Sequence, residues 1–463
     1  MASPKATLIL PVESQVRELD AKLMLACAAA ERGFRVIIGS RAFVHYAVAS
    51  FPRGIYLAKS MRSLSELMFG ILKRLGHEIV AWDEEALVRF PRDDYYRRRL
   101  SAKALGRVSR LFAWGEDDAE LFREFPDYPG TPIEVTGNPR IDLIRPDARH
   151  YFDDEVAEIR ERFGEFVMLN TNFGYVNSFA SKLNLMRKPK AAGGEPELSE
   201  NARDMYPDFA RGLAAHKQAL FEHFRALVPV LADALPRHTI VVRPHPSENH
   251  GVWRDAAGDH RNVHVVNQKS VIPWLIATSA LVHNGCTTAV EATVLGRPAI
   301  AYRPVSAERF DCELPNSLSH EAFDRDELLS KLRAVLSGEL GVRSDGGQRA
   351  RLERHIAALE GPLASDRIVE ALCAAGYRDR RFPRPPLPQY LGTRLLVDAR
   401  TLSKRLKGLR KGHRNTRKFH DHRFPGTSVG NLDQRIQRFG KQLGRFGSLR
   451  LTQHSDHIYC VES

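Results

Sequence analysis

The sequence lacks long apolar runs and contains few cysteines. No stretch reaches the roughly 18–20 apolar residues of a membrane-spanning helix, so we expect a soluble, cytoplasmic protein. The cysteines stand singly, without a CxxC pair, which argues against a disulfide framework or a zinc ribbon and favours a reducing compartment. They are Cys27, Cys286, Cys312, Cys373 and Cys460.

Positive charge, by contrast, is in excess. The 463 residues carry 69 Lys and Arg against 56 Asp and Glu, a formal net charge of +13. Such a surface attracts anions, including nucleotides, phosphorylated glycans and acidic lipid head groups. No aromatic platform, zinc finger or basic heptad pattern accompanies the charge, so nucleic acid is not an expected partner.

Short apolar strands alternate with helical stretches along most of the chain, which predicts two parallel sheets, each covered by helices on both faces. The predicted strands are 6–12, 34–40, 77–83, 107–115 and 133–138, then 165–172, 237–246, 262–268, 279–285 and 297–304. We therefore predict an α/β protein of two Rossmann-type domains facing a cleft. The predicted domains are 1–145, on the acceptor side, and 146–377, which binds the nucleotide and has a loop or lid inserted at about 173–208.

The composition changes beyond Tyr377, where Arg, Lys and Pro dominate. We interpret 378–463 as a basic C-terminal extension. Two interpretations remain open. The first is a solvated, partly disordered extension or a strap that packs across the N-terminal domain, and the second is a segment that contacts anionic lipid or an acceptor glycan electrostatically.

One candidate site follows a predicted strand in the second domain, in the stretch VVRPHPSE (241–248). His245 stands between Pro244 and Pro246, whose rings fix φ and hold the histidine direction at low entropic cost. At the carboxyl end of a parallel strand, His245 could bind a phosphate oxygen or transfer a proton. Arg243 adds positive charge beside it. The alternative is a histidine that only closes a turn.

A second candidate site is the stretch HNGCTTAVE (283–291), which is predicted to form a turn followed by a helix. Gly285 would let a ligand approach the backbone, and the start of the helix suits a phosphate. Glu291 lies one turn beyond Thr288, where its carboxylate could accept from ribose hydroxyls. The alternatives are a simple helix cap and a surface glutamate paired with Arg297. The predicted contacts here are Asn284, Gly285, Cys286, Thr287, Thr288 and Glu291.

Acidic residues follow a strand of the first domain. In VAWDEEALVRF (80–90), Asp83, Glu84 and Glu85 stand where a general base could remove a proton from an acceptor hydroxyl. The alternative is a helix start enriched in acids, and GEDDAELF (115–122) is a competing acidic cluster with the same alternative. A helix terminus and basic residues can stabilise a departing phosphate, so neither a metal nor a cofactor is expected.

RPHPSE followed about forty residues later by HNGCTTAVEATVLGRPAIAY resembles the C-terminal domain of GT-B glycosyltransferases, and EVTGNPRID (134–142) is similar to a segment of nucleotide-sugar 2-epimerases. The His-Pro and Thr-Thr pairs resemble the CMP-binding elements of bacterial sialyltransferases and Kdo transferases, and the layout over roughly 5–375 resembles bacterial surface carbohydrate biosynthesis proteins. The acids at 83–85 resemble an acidic element of the CMP-sugar transferases, although Ala86 replaces its glycine.

This resemblance implies transfer of a sugar, with a CMP-linked acidic sugar such as Kdo as the leading donor, to a glycan or lipid-linked acceptor. It implies that His245, Thr287 and Thr288 bind the donor phosphate, that Glu291 binds the ribose, and that Arg243 adds charge nearby, with Pro246 in the same nucleotide-sugar site. Three alternatives stay open: a nucleotide-sugar 2-epimerase, a CDP-glycerol glycerophosphotransferase, and a non-catalytic protein of glycan assembly.

Overall fold

A computed structural model describes residues 6–187, 196–410, 413 and 415–463. The chain forms two compact units. The first contains the chain up to Ala86, then Arg99–Tyr151 and Arg351–Ser463; the second contains Leu87–Arg98 and Phe152–Ala350. The second unit thus ends before residue 377, the predicted boundary, because the chain from Arg351 onward packs with the first unit.

Strands and helices alternate along most of the described chain. The strands are β1 (Thr7–Val12), β2 (Arg35–Ser40), β3 (Gly54–Ala58), β4 (Glu78–Ala81), β5 (Arg110–Ala113), β6 (Ile133–Val135), β7 (Phe166–Thr171), β8 (Met186–Arg187), β9 (Glu197–Leu198), β10 (Thr239–Pro244), β11 (Val263–Val265), β12 (Ala280–His283), β13 (Ala299–Tyr302), β14 (His320–Ala322), β15 (Arg450–Ser455) and β16 (Ile458–Glu462). The helices are α1 (Gln15–Glu31), α2 (Arg41–Ala47), α3 (Glu66–Arg74), α4 (Arg92–Arg99), α5 (Ala102–Leu105), α6 (Glu116–Arg123), α7 (Pro139–Asp142), α8 (Asp153–Phe163), α9 (Pro207–Ala234), α10 (Gly251–Ala257), α11 (Ile272–Ala277), α12 (Thr287–Val294), α13 (Glu313–Ser317), α14 (Arg325–Leu336), α15 (Gln348–His355), α16 (Ala364–Ala374), α17 (Leu387–Gly408), α18 (Arg417–Arg423) and α19 (Val429–Leu443).

The first unit is built on an eight-stranded sheet of order β15-β16-β2-β1-β3-β4-β5-β6. Strands β1 to β6 are parallel, and β1 is buried along its whole length. The sequence did not indicate β3, a run of only five residues, or the hairpin β15–β16, whose first strand is polar and mostly exposed. That hairpin extends the sheet by antiparallel pairing of β16 with β2.

The basic C-terminal segment packs on the first unit as a strap. Helix α17 lies against α2 and α3, and α19 lies against α1. The Phe439 ring stacks on Tyr151 with centroids 4.5 Å apart, and Arg445 pairs with both Glu31 and Asp366. Of the two interpretations of this segment, the structure therefore shows the strap directly.

The second unit is built on a six-stranded parallel sheet of order β11-β10-β7-β12-β13-β14. One face packs under α9, α10 and α14 in an apolar core that includes Phe173, Phe224 and Trp253. On the other face α11 packs against α8 and α12. The predicted α/β, GT-B-like fold class is confirmed in these two parallel-sheet units.

The segment predicted as an insertion is partly ordered by a core of its own. Leu185, Ala202 and Met205 are buried together with Phe209 at the start of α9. Strands β8 and β9 pair within it, and residues 188–195 lie outside the described part of the chain. Its role as a lid stays a prediction.

Candidate functional site

The His245 loop leaves the carboxyl end of β10. The His245 backbone N–H donates to Thr171 O at the end of β7 (3.1 Å), which places the loop at the edge of the sheet. Its Nδ1 accepts from the Ser247 backbone N–H (3.2 Å) and lies 2.7 Å from Ser247 Oγ. A backbone N–H can only donate, so the proton of the neutral ring is on Nε2. The ring therefore presents Nε2 as a donor.

Glu248, at the end of the RPHPSE stretch, holds this loop in place. It is 2% exposed. Its Oε1 accepts from Thr171 Oγ1 (2.8 Å) and the His245 backbone N–H (3.0 Å), and its Oε2 from Trp253 Nε1 (3.1 Å) and Asn177 Nδ2 (3.5 Å). Burial raises the pKa of Glu248, while hydrogen bonds to the carboxyl oppose that rise. No motif in the sequence pointed to a role for Glu248.

Glu248→Gln is expected to lower the free energy of unfolding by about 1–3 kcal/mol, because the new NH₂ group must face either the His245 N–H, which then keeps only its bond to Thr171 O, or the Trp253 Nε1–H, which then has no acceptor. Thermal or urea unfolding measures this change. Glu222→Gln on α9, where the side chain is 45% exposed, is the matched control and should change stability by no more than about 0.5 kcal/mol. Equal stability of the two variants would contradict this role of Glu248.

The turn from β12 into α12 is fixed by a buried histidine. His283 Nδ1 accepts from the Gly285 backbone N–H (3.0 Å), and Nε2 donates to Ser319 Oγ (2.8 Å). Burial lowers the pKa of His283 to about 3, so the ring is neutral at physiological pH. Gly285 has φ +79°, a conformation that glycine adopts without strain. The predicted turn and helix start are both present here.

Helix α12 begins at Thr287, and its N-cap residue Cys286 makes no side-chain capping bond. The Thr288 hydroxyl is engaged inside the fold, because Asn170 Nδ2 lies 3.1 Å and Cys286 Sγ 2.7 Å from it. Thr287 is half-buried, and no hydrogen bond of its hydroxyl is found in the described part of the chain. Of the two threonines, Thr287 is therefore the better placed to bind a ligand.

Two buried asparagine oxygens lie beside this turn. Asn284 and Asn316 are 7% and 6% exposed, and neither Oδ1 atom has a hydrogen-bond partner among the described residues. A Cβ added at Gly285 would lie 3.5 Å from Asn316 Oδ1. Unsatisfied buried acceptors cost free energy, and a ligand that donates hydrogen bonds would satisfy them. The sequence predicted Asn284 as a contact but not Asn316, which follows no recognisable motif.

Arg243 is a buried cation on β10, and its ring neighbour Trp274 belongs to α11. It is 5% exposed, and its Nη2 donates to the backbone oxygens of Gln268 (3.1 Å) and Lys269 (2.8 Å). In the described part of the chain its Nη1 has no partner and no carboxylate pairs with it. Burial alone lowers the pKa of Arg243 to about 9. An anion at this edge of the sheet would offset that cost.

Lys217 is a second buried cation that the sequence analysis missed. It lies on α9, is 6% exposed and forms no ion pair within the described residues. It interacts electrostatically with the Cys312 thiol, whose Cβ is 3.8 Å from the position of a Cβ at Gly285. A lysine among the mostly apolar positions that α9 buries was the available signal.

Glu291 lies on α12 and is 3% exposed, so it is not the surface glutamate of the alternative interpretation.

Pro246 lies in the turn that carries Ser247. The second unit therefore brings the predicted contacts of both motifs to the carboxyl edge of one sheet, since β10 and β12 both pair with β7. Their roles in binding stay predictions.

The three predicted acids follow β4 in the first unit, on a turn and not at a helix start. Asp83 is fully buried and held by the Arg99 guanidinium, whose Nε lies 2.9 Å from Oδ2. Burial opposes ionisation of Glu85, but Arg17, Arg99 and Lys59 hold its pKa down at about 2, too low for an effective base near neutral pH. These contacts are structural ion pairs.

Glu84 differs from both neighbours. It is 3% exposed, its Oε2 accepts from Trp82 Nε1 (2.8 Å), and it forms no ion pair within the described residues. Lys59 lies near enough to interact with it electrostatically. Of the three acids, Glu84 is therefore the one whose carboxylate is not committed to a cation.

A buried charge cluster, which the sequence analysis missed, lies beside these acids after β1 and β3. Lys59 Nζ is 2.8 Å from carboxylate oxygens of both Glu13 and Glu18, and Lys22 Nζ is 2.8 Å from Glu18. Its members are satisfied by one another, which indicates a structural network. Among the described residues, no three His, Cys, Asp or Glu side chains are grouped as a metal site.

In the part of the chain that the structure describes, none of the helices has the length and apolar character needed to cross a bilayer.

Comparisons with known proteins identify the fold but no family. No protein-family model matches the sequence, and no curated protein matches it either. Among solved structures, the wall teichoic acid polymerase TagF is similar to this chain at 11% identity and a TM-score of 0.52, over 82% of this chain and 91% of that one. MnaA of S. aureus in complex with UDP is similar over 81% of this chain and 98% of that one, at 12% identity and a TM-score of 0.46. The UDP-GlcNAc 2-epimerase of Neisseria meningitidis bound to UDP-GlcNAc is similar over 80% of this chain and 99% of that one, at 13% identity and a TM-score of 0.46. The likeness to the teichoic acid polymerase agrees with the fold class derived above.

Proposed function

We propose that this chain is a nucleotide-sugar-dependent glycosyltransferase of surface polysaccharide biosynthesis, and that the carboxyl edge of the second sheet binds the nucleotide. The supporting observation is that a cation without a counter-ion and hydrogen-bond acceptors without donors lie at the same edge of the sheet. Arg243 is a buried cation with an unpartnered Nη1, and Asn284 and Asn316 carry buried acceptors without donors. A nucleotide supplies both an anionic phosphate and donors from ribose or base.

The roles follow from the geometry of each group. Arg243, the His245 Nε2–H and the uncapped start of α12 would bind phosphate oxygens, with Thr287 adding a hydroxyl. Asn284 and Asn316 would accept from ribose hydroxyls or an exocyclic amine. Glu84 would remove the proton of the attacking hydroxyl on a glycan or lipid-linked acceptor. CMP-linked acidic sugars such as Kdo are the leading donors, on the resemblance of the His-Pro and Thr-Thr pairs.

A polymer glycerophosphotransferase that uses CDP-glycerol is the second candidate. The likeness in fold to a wall teichoic acid polymerase favours it over the epimerase alternative. It would use the same phosphate-binding groups, and its nucleotide product would be CMP, so the two candidates differ in whether the donor is a CMP-sugar or CDP-glycerol.

Thermal unfolding with CMP, CDP, UMP, UDP and GDP tests the proposal, because a ligand that binds the folded state stabilises it by about 2.7 kcal/mol at 100 times its Kd. We expect a cytidine nucleotide to raise the melting temperature, and His245→Ala to weaken that nucleotide by about 10–100-fold. His223→Ala, a half-buried histidine on α9, is the control and should bind normally. A response to UDP alone would favour an epimerase or a UDP-sugar enzyme, and no response at all would favour the non-catalytic alternative.

A further inference from the structure

Helix α17 carries a row of exposed leucines on its outer face. The six are Leu387 (67% exposed), Leu391 (49%), Leu395 (70%), Leu402 (59%), Leu406 (57%) and Leu409 (83%), the last just beyond the helix end. At about 100° per residue, all six fall within an arc of about 100°. We call this row the leucine stripe. Single exposed leucines are ordinary, but six in register on one helix are not.

The opposite face of α17 already has its partner in the fold. Thr393 and Val397 are buried against the first unit, and the Tyr390 hydroxyl donates to Ala49 O (2.9 Å). Lys404 lies over the Tyr46 ring at 5.6 Å. The helix is thus anchored by one face on α2 and α3, and its leucine stripe faces outward.

The charges of α17 are almost all positive. Within α17 the charged residues are Arg394, Arg400, Lys404, Arg405 and Lys407 against the single acid Asp398. By helical spacing, Arg394 and Arg405 stand at one border of the stripe, Asp398 lies just inside that border, and Lys407 lies about 100° beyond the other border. Arg394, Arg405 and Lys407 are exposed. An exposed apolar row on a helix whose charges are mostly Lys and Arg is the pattern of a helix that lies in the surface of an anionic membrane.

We propose that α17 docks this protein on the surface of an anionic lipid bilayer, with the leucine stripe inserted among the acyl chains and Arg394 and Arg405 at the head groups. Charge decides between this occupant and a second copy of the chain. Two α17 helices packed stripe to stripe would bring five basic side chains of each helix together with one acid each to compensate, whereas anionic lipids neutralise all of them. The proposal is independent of the nucleotide site.

Flotation of the full chain with vesicles tests it. Wild type should bind vesicles of phosphatidylcholine with phosphatidylglycerol and bind phosphatidylcholine vesicles far less. A triple variant, Leu395→Gln, Leu402→Gln and Leu406→Gln, should lose on the order of 100-fold or more in partitioning, since three apolar side chains no longer leave water. Methionine at the same three positions is the matched control and should keep binding, because it keeps the apolar surface.

A second variant tests the exposed positive charges of α17. Arg394→Gln, Arg405→Gln and Lys407→Gln together should weaken binding on the order of 100-fold, at about 5-fold for each charge, and should reduce its salt dependence. All these side chains are exposed, so the melting temperature and its response to nucleotides should match wild type in every variant. This readout separates failure of the membrane proposal from failure of the proposed function.

Two results would overturn the inference. One is that the variant with glutamine at the three leucine positions floats with anionic vesicles as well as wild type does. The other is wild type that binds neither kind of vesicle but sediments as a dimer, which the three glutamines convert to a monomer; the stripe would then be an interface between two copies.

Discussion

Glu84→Gln is expected to lower turnover by about 10²–10⁴-fold while nucleotide binding stays intact, because a positioned general base contributes a factor of that size. Glutamine has the shape of glutamate and keeps an oxygen that can accept from Trp82 Nε1, so the turn after β4 is retained. Release of nucleotide from a cytidine-linked donor in the presence of acceptor measures turnover, and thermal shift measures binding.

Glu85→Gln is the matched control for this experiment. Glu85 pairs with Arg17 (3.4 Å), and its low pKa of about 2 makes it a poor proton acceptor, so its amide should lose little turnover. Asp83 is unsuitable as a control, because removal of its carboxylate would leave the largely buried Arg99 without its partner and destabilise the fold. Turnover of Glu84→Gln equal to that of Glu85→Gln would place the base elsewhere.

Arg243→Met should weaken nucleotide binding by about 10–100-fold, the loss expected when a charge-assisted hydrogen bond to phosphate is removed. The unliganded protein should be as stable as wild type or more stable. A buried guanidinium without a carboxylate is costly, and methionine fills a similar space without charge. We therefore expect no loss of stability. Titration with the best nucleotide of the thermal-shift panel, together with urea unfolding of the free protein, checks both parts.

Arg211→Met on α9 provides the control, since Arg211 is exposed and forms no ion pair among the described residues. It should change neither stability nor affinity appreciably. A large loss of stability for Arg243→Met with unchanged nucleotide affinity would show that Arg243 supports the fold and does not bind the phosphate.

Apolar patterning predicted most of the buried strands, because a parallel strand covered on both faces must be apolar throughout. Each of the ten predicted strands contains a strand of the structure, although the edge strands β6 and β11 are only partly buried. The pattern missed β3, which is buried along its whole length. The polar β15 has no such requirement. It pairs at the open edge of β16, and its place depends on backbone hydrogen bonds that leave no mark on its side chains.

The residues of the candidate site also fall into two groups: those that the sequence predicted and those that only the fold brings together. His245, Gly285 and Thr287 could be found because proline, glycine and threonine next to strand ends have local conformational meanings. Asn316 could not, since only the fold brings α13 to the turn at Gly285. The pattern of α9 marks Lys217 as buried, but only the fold brings it near Cys312. Among the acids at 83–85, the sequence predicted Glu84 or one of its neighbours as the base. The ion pairs of Asp83 and Glu85 separate them from Glu84.

By itself, the sequence determined the α/β class, the two parallel sheets and the strand ends that carry polar residues, because hydrophobic periodicity and turn chemistry are local properties of the chain. Only the tertiary structure decided that 351–463 packs with the first unit, that Arg243 is buried without a counter-ion, and that the leucines of α17 face outward. In each case, the burial of a residue depends on which other parts of the chain pack against its helix or strand. Contacts between residues far apart in sequence, such as Arg445 with Glu31 and Asp366, determine this packing.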